Sequence, residues 1–406
     1  MLLRGKATRL ASKYRCIFQT RFMILRIVVI MLACMSAQAW GQSLGNMNFN
    51  YCYDSNNEIE FKLYPAVHNG KVLAYYSLVA NRKEFPVETY SISWQSRKDF
   101  SDRAEEVAVG RDSVLSKDIQ NLSGIFLTQV GAEKWYLVAK VVNQSTQNTF
   151  HFFTVVDAQW PIEHLVHVNG RVLDQKYVPA RSTIRFQSDK NLFGFYYKKS
   201  FDAALPPFAE SDPISPFLIA DSAFSFSKEF TPLSLGLYLV QSDTASAKGI
   251  CLLVTDASYP KYNRVSTLAP PLIYISTDDE FVKLSSANTD KTAFDKVILE
   301  MTGDKDRARN LFRSYFQRVE QTNRYFTDYK EGWKTDRGML YVIYGIPDEV
   351  SRTATGETWY YQGRKTRFEF KKSGSVFNPE IFKLERDNKY MPEWFSMVDL
   401  WRKSRF

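Results

Sequence analysis

The sequence is poor in the residues on which much enzyme chemistry depends: of 406 residues, four are histidine and four are cysteine. The histidines are His68, His151, His164 and His167. The last two are three apart in an alternating β segment, so they point to opposite faces and cannot chelate together. No Cys/His cluster has zinc spacing, no G-x-S-x-G turn is present, and there is no glycine-rich phosphate loop. No catalytic set, metal site or cofactor is therefore expected. The acid pairs Asp278/Asp279 and Asp348/Glu349 fall at a predicted helix start and a turn, where capping and dipole roles suffice.

Acid is missing from the N-terminus. Residues 1–26 contain Arg4, Lys6, Arg9, Lys13, Arg15, Arg21 and Arg26 and no carboxylate. An apolar run, Ile27 to Ala33, follows, and then Ala37-Gln38-Ala39 before Trp40. A basic start, a short apolar centre and small residues at −3 and −1 read as a secretory signal, residues 1–39, cleaved after Ala39. The run is short of the roughly 20 residues that span a bilayer, and no later segment comes closer. The expected location is the periplasm or the outer membrane. A competing reading places a lipid anchor on Cys34, after Met31-Leu32-Ala33, although bulky Leu32 fits that pattern less well than the Ala37/Ala39 pair fits ordinary cleavage. The basic stretch before Met23 is long for a signal, so Met23 competes with Met1 as the start.

That segment also accounts for the apparent basicity. It holds seven of the 53 Lys+Arg, so the remainder carries 46 against 44 Asp+Glu, and the net charge of +9 falls to +2. A nucleic-acid binder needs a concentrated basic face, and none is visible. Removing the signal also removes Cys16 and Cys34. Cys52 and Cys251 remain, either as one disulfide in an oxidising compartment or as two separate buried thiols.

Aromatic residues are abundant, at 15% of the chain with 30 Phe and 23 Tyr, which favours sheets. The mature length of about 365 residues exceeds what one core usually holds. Alternating segments such as Glu58 to Tyr64, Tyr90 to Trp94 and Lys134 to Val141 predict an antiparallel β-sandwich over residues 40–160. Segments Leu192 to Tyr197, Leu235 to Val240 and Gly249 to Val254 predict a second over 161–270. A Pro-rich loop between them, from Leu205-Pro206-Pro207 through Pro213 and Pro216, reads as an inter-strand excursion or, alternatively, as an exposed functional loop.

After Ala269-Pro270-Pro271 the period changes to 3.6, predicting a helical segment over 271–326. Thr277 with Glu280 forms a capping box, and Thr289 caps a second helix bearing Phe294, Val297, Ile298 and Met301. A long helix from about Asp304 to Phe326 carries Ala308, Leu311, Phe312, Tyr315, Val319 and Phe326 in its stripe. Arg307, Arg313 and Arg324 lie elsewhere on that helix, as a solvated face or, alternatively, a binding patch. Residues 327–406 predict a small α+β unit. In it Gly332 to Gly338 is a turn, Met339 to Tyr344 a strand, and Gly345-Ile346-Pro347-Asp348 a turn. Thr358 to Tyr361 and Arg367 to Phe370 are further strands. A last helix opens near Pro392, with Trp394, Met397, Val398 and Trp401 in one stripe expected to pack on the sheet. The fold class is multidomain and mainly β, with two antiparallel sandwich-like domains, a helical segment and a C-terminal α+β domain.

The segment Glu331-Gly332-Trp333-Lys334-Thr335-Asp336-Arg337-Gly338, with Tyr341-Val342-Ile343-Tyr344-Gly345-Ile346-Pro347-Asp348 after it, resembles the GWxTD domain family of bacterial envelope proteins. The resemblance extends through Tyr315, Arg318, Val319, Asn323 and Phe326 upstream and through Trp359, Tyr360, Trp394 and Trp401 downstream, so the whole domain is expected over about 271–406. Pro271 to Ile275 and Leu205 to Phe208 are similar to the longer members typical of Bacteroidetes-like bacteria. The resemblance implies an exported protein of a diderm bacterium and no established activity. Tyr344-Gly345-Ile346-Pro347, Gly356 to Tyr361 and Thr366 to Phe370 also look like the SmpA/OmlA-type lipoprotein of the outer-membrane β-barrel assembly machine, although the paired helices that open that fold are lacking.

In physical terms the signature reads as architecture. Gly332, Gly338 and Gly345 supply turn geometry, Trp333 anchors, and Thr335 belongs to the same turn. Asp336 can accept backbone N–H groups, and Arg337 can pair with a carboxylate. The leading expectation is a non-enzymatic interaction or scaffold module with an envelope or outer-membrane protein partner, in which Arg337 and Arg364 are candidate partner-binding charges. The alternatives are a carbohydrate-binding or glycan-processing accessory, which would show a row of exposed rings on one sheet, and a hydrolase with a site around Asp336.

Overall fold

A computed structural model describes residues 43–405 apart from 69, 108, 110, 130–133, 158–164, 189, 199–200, 211–217, 246–248, 376 and 379. The signal segment, Cys34, the Trp160-Pro161 boundary, His164, Pro213 and Pro216 lie outside the described residues. Among the described residues no helix is long and apolar enough to cross a membrane.

The first unit is built from β1 (Ile59–His68), β2 (Lys71–Ala80), β3 (Tyr90–Arg97), β4 (Glu105–Glu106), β5 (Arg111–Lys117), β6 (Asn121–Gln129), β7 (Trp135–Asn143) and β8 (Thr149–Val156). They form two antiparallel sheets, ordered β1-β2-β6-β5 and β4-β3-β7-β8. Between the sheets lies a core of Phe61, Tyr76, Trp94, Phe126 and Val141. The aromatic content is used there, with Trp94 and Phe126 ring centroids 4.2 Å apart.

The second unit contains β9 (Val166–Val168), β10 (Arg171–Val172), β11 (Tyr177–Pro179), β12 (Ile184–Phe186), β13 (Leu192–Tyr197), β14 (Ser222–Phe226), β15 (Glu229–Phe230), β16 (Gly236–Gln241) and β17 (Ile250–Thr255). Its sheets run β10-β9-β12-β15 and β11-β17-β16-β13-β14. All pairings are antiparallel except β11 with β17, which is parallel.

The chain then turns helical, with α1 (Val265–Leu268), α2 (Asp278–Ser286), α3 (Lys291–Thr302) and α4 (Lys305–Phe326). Thr277 and Glu280 make the expected capping box on α2. Asp290 rather than Thr289 caps α3, its carboxylate accepting from the N–H groups of Thr292 and Ala293; a charged acceptor at a helix start gains from the dipole as well. Asp304 caps α4, whose Leu311, Tyr315, Val319 and Phe326 are buried while Arg307, Arg313 and Arg324 stay exposed.

One element differs in kind from the sequence reading. Residues Asp336–Tyr344 are a helix, α5, preceded by a 3-10 turn at Gly332–Lys334. The run Tyr341-Val342-Ile343-Tyr344 reads as a strand because it is β-branched and aromatic. Every residue from Gly338 to Tyr344 is buried, so no periodicity survives to separate helix from strand. Thr335 decides the outcome, its hydroxyl accepting from the Gly338 N–H as an N-cap. The strands β18 (Glu349–Arg352), β19 (Gly356–Tyr361), β20 (Thr366–Ser373) and β21 (Ile381–Leu384) then form one antiparallel sheet, and α6 (Met391–Arg402) closes the chain. Trp401 packs on α4 and α5 rather than on the sheet: its ring meets Tyr315 at 5.2 Å and Arg318 at 4.7 Å, and its indole N–H donates to Ile343 O. Trp394 meets Tyr274 and Tyr344.

The units are interlocked. An N-terminal strap, residues 44–53, inserts Leu44, Phe49 and Tyr53 into the core of the C-terminal domain. Phe49 N–H donates to Val350 O, Val350 N–H to the Asn48 side chain, and Tyr341 Oη to Tyr53 O. Strand β7 is buried on both faces because Leu137 and Val141 fill the first sandwich while Tyr136 and Val138 face the strap. The second unit docks through Tyr177, Leu237 and Leu253 against Tyr259, Tyr329 and Ile381. Its Pro-rich loop is more than an excursion, since Ala204 N–H donates to Lys334 O and Asp387 N–H to Pro207 O.

Candidate functional site

The signature turn lies against α4 so closely that no side chain fits between them. A Cβ on Gly332 would stand well inside contact distance of Thr322 O, and one on Gly338 would do the same to Gly332 O. Replacing Gly338 with alanine is therefore expected to cost about 1–3 kcal/mol by overpacking, read as a lower urea midpoint of the full chain. An unchanged midpoint would show that the turn can relax.

Each signature side chain then has an internal partner. Trp333 is buried; its backbone N–H donates to Asn323 Oδ1 and its indole N–H to Tyr262 Oη at 3.0 Å. Thr335 Oγ donates to Gly332 O and accepts from Gly338 N–H. Asp336 holds β21 and the strand's exit, accepting from Leu384 N–H at 2.8 Å and from Arg386 at 2.7 Å. It is tied into structure, with Arg386 in turn donating to Leu205 O of the docked loop.

Arg337, expected as a partner-facing charge, points inward instead. Its guanidinium stacks 3.9 Å over the Phe382 ring, donates to Tyr53 Oη at 3.1 Å and stands 3.8 Å from Glu357. Arg364 does reach the surface, where it pairs with Glu393 at 3.4 Å. Gly345 ends α5 with φ at +85°, and the Arg318 guanidinium caps the carbonyls of Val342 and Ile343. Pro347 and Trp359 are buried.

The centre of this arrangement is Glu357. Its carboxylate is 1% exposed and accepts from Tyr53 Oη at 2.8 Å, Arg352 Nε at 2.9 Å and the Trp359 indole. Burial pushes this carboxyl up, but Arg352, Arg337 and the Trp359 and Tyr53 donors outweigh it and hold the pKa below the ordinary glutamate range. Tyr53, Arg352, Glu357 and Arg386 were not singled out from the sequence. Glu357 did carry a readable sign, because it shares its strand face with Trp359 and Tyr361, and an acid at period two among core aromatics demands a buried partner.

Beside the cluster, where the strap, both sandwiches and α4 meet, lies a cavity of about 870 Å³. Tyr51, Cys52, Phe152, Tyr177, Tyr325 and Phe326 supply its walls, and Arg337 and Arg352 border it. Cys52 and Cys251 are separate free thiols, which excludes the disulfide in this structure; burial pushes both thiols up. Burial likewise lowers the His151 imidazole to about 4 and lowers that of His167 as well. Among the described residues no group of three or more His, Cys, Asp and Glu could hold a metal ion. The rings of the two sandwiches are buried or half-buried apart from Phe193, at 38%; elsewhere among the described residues only Phe395 on α6, at 56%, is an exposed ring.

Comparison with curated proteins gives no match. Among solved structures, the crystal structure of DIP-gamma IG1+IG2 aligns over 49% of this chain and 96% of that chain, at 12% identity and a TM-score of 0.17. That score is too low to carry a shared fold. The model of the GWxTD domain matches residues 236–403, which takes in β16 and β17 as well as the helices and the last sheet. Residues 236–403 thus match the GWxTD domain, and the Gly332–Gly338 turn packed against α4 lies within that match.

Proposed function

We propose that this chain is an exported, non-enzymatic envelope protein in which two β-sandwich units present the GWxTD domain to a protein partner. The observation that carries this reading is the commitment of the signature's polar groups to internal bonds. Asp336 is held by Arg386, and Arg337 by Tyr53 and Glu357, so the domain's defining residues support rigid presentation. The basic start and the Ala37/Ala39 pair support export, and the likeness to the SmpA/OmlA-type lipoprotein favours an outer-membrane assembly or transport complex as the partner. The burial of the sandwich rings speaks against glycan stacking.

The test is affinity purification of the tagged protein from detergent-solubilised envelopes, comparing wild type with Arg364→Ala. Arg364 sits on the turn between β19 and β20 and is partly exposed; arginine is favoured at interface hot spots. Enrichment of an outer-membrane protein, weakened by about tenfold in the variant, is the expected result. Recovery of the chain alone would overturn the reading.

A further inference from the structure

Strand β5 leaves its outer edge open. It ends its sheet, and among the described residues no main-chain hydrogen bond reaches it except from β6. Such an edge presents unpaired N–H and C=O groups to any strand that fits them. Exposed apolar side chains accompany it, with Val114 at 58%, Leu115 at 52% and Ile119 in the following turn at 73%. A bulge at Leu115 fixes which residues share a face. The pairing with β6 sets Asp112 opposite Phe126 and Val114 opposite Gly124, skips Leu115, and resumes with Ser116 opposite Ser123 and Lys117 opposite Leu122. Phe126 and Leu122 both pack on the core of the first sandwich, so Asp112 and Lys117 lie on one face of the sheet. In an unbulged strand residues five apart would lie on opposite faces. Ser113 and Ser116 share the other face. The strand is therefore complementary to itself: run against a reversed copy, acid meets base and serine meets serine.

We propose that β5 pairs antiparallel with β5 of a second copy of this chain, about a two-fold axis at the bulge, joining two four-stranded sheets into one. Asp112 of each copy then stands opposite Lys117 of the other, Ser113 opposite Ser116, and the Val114 and Leu115 side chains of both copies meet at the axis. Opposite charges and hydroxyl pairs across strands stabilise antiparallel pairing. Asp112 is available for this, since among the described residues it accepts only from Tyr76 Oη, at 3.3 Å. Lys117 meets Glu88 at 3.0 Å in an exposed pair, and its ammonium keeps donors for a second carboxylate. The bulge favours a copy over any other strand, because it turns the edge away from a regular partner, whereas a copy carries the same bulge at the same place. The contact lies on the first sandwich rather than on the GWxTD domain, so it can fail where co-purification succeeds.

The experiment is sedimentation equilibrium of the full chain. A monomer–dimer equilibrium is expected, with a constant on the order of 10 μM for so narrow a contact. Asp112→Lys and Lys117→Asp both change exposed positions, where substitutions leave the fold intact. Each variant alone sets like charges opposite one another twice, and is expected to weaken self-association by about tenfold. Mixed in equal amounts, the two variants bring opposite charges together again and are expected to associate with each other as tightly as wild type. A wild-type chain that stays monomeric at concentrations on the order of 100 μM overturns the proposal. Single reversals that leave the dimer unchanged, or a mixture that associates no better than either variant alone, do so too.

Discussion

Glu357→Ala is expected to destabilise the chain by about 3–5 kcal/mol, the cost of removing one partner from a buried charge cluster. Arg352 would then keep its Tyr53 contact but lose the carboxylate 2.9 Å from its Nε, and Arg337 would lose the same counter-charge. Urea unfolding of the full chain measures the effect. A cost under about 1 kcal/mol, the range of an exposed pair, would show that water enters to replace the carboxylate. Replacing Arg352 and Glu357 together with apolar residues of similar volume should recover part of the loss, since neither charge is then left alone. The acid dependence follows with a definite sign. The folded pKa of Glu357 is held below its ordinary 4.5, so its stabilisation is complete above that value and drains away as pH falls through the lower folded one. Glu357→Gln should lose that part of the acid sensitivity.

Trp401→Ala is expected to cost about 3–5 kcal/mol. The indole is fully buried, closes over Tyr315 and Arg318, and donates to Ile343 O near the end of α5. Its removal leaves both a cavity and a carbonyl without that donor. Thermal melting should fall sharply, and Trp401→Phe should restore the packing but not the hydrogen bond. An unchanged melt would mean that α6 is an appended element rather than a part of the core.

The strands of both sandwiches were legible because alternation is written locally: Tyr90 to Trp94 and Leu192 to Tyr197 each fall within the observed strands β3 and β13. The cap at Thr277 was equally legible, since a cap acts over three or four positions, and the start of α4 near Asp304 was placed, whereas the cap of α3 was read one residue early at Thr289. The α5 helix was hidden by its own burial. The charge cluster was hidden by distance: Tyr53 and Glu357 are 304 residues apart, and nothing in either neighbourhood announces the other. The inward turn of Arg337 follows from the same fact, for its aromatic and tyrosyl partners come from β21 and from the strap. What a single segment determines could be read; what two remote segments determine together could not.

The strap has a consequence for how the polypeptide matures. Asn48 and Phe49 emerge from the ribosome some 300 residues before Asp348 and Val350, the groups they bond. Phe49 can meet Phe153 of the first sandwich about 100 residues later, but its backbone partner on β18 comes only with the last domain. Native contacts of such sequence separation form slowly, and domains finished later in synthesis leave earlier segments exposed to wrong partners. Completion of the last domain is therefore also the moment at which the strap gains its last native partners. A protease added during translation would record this as late, simultaneous protection of the strap and of the last domain.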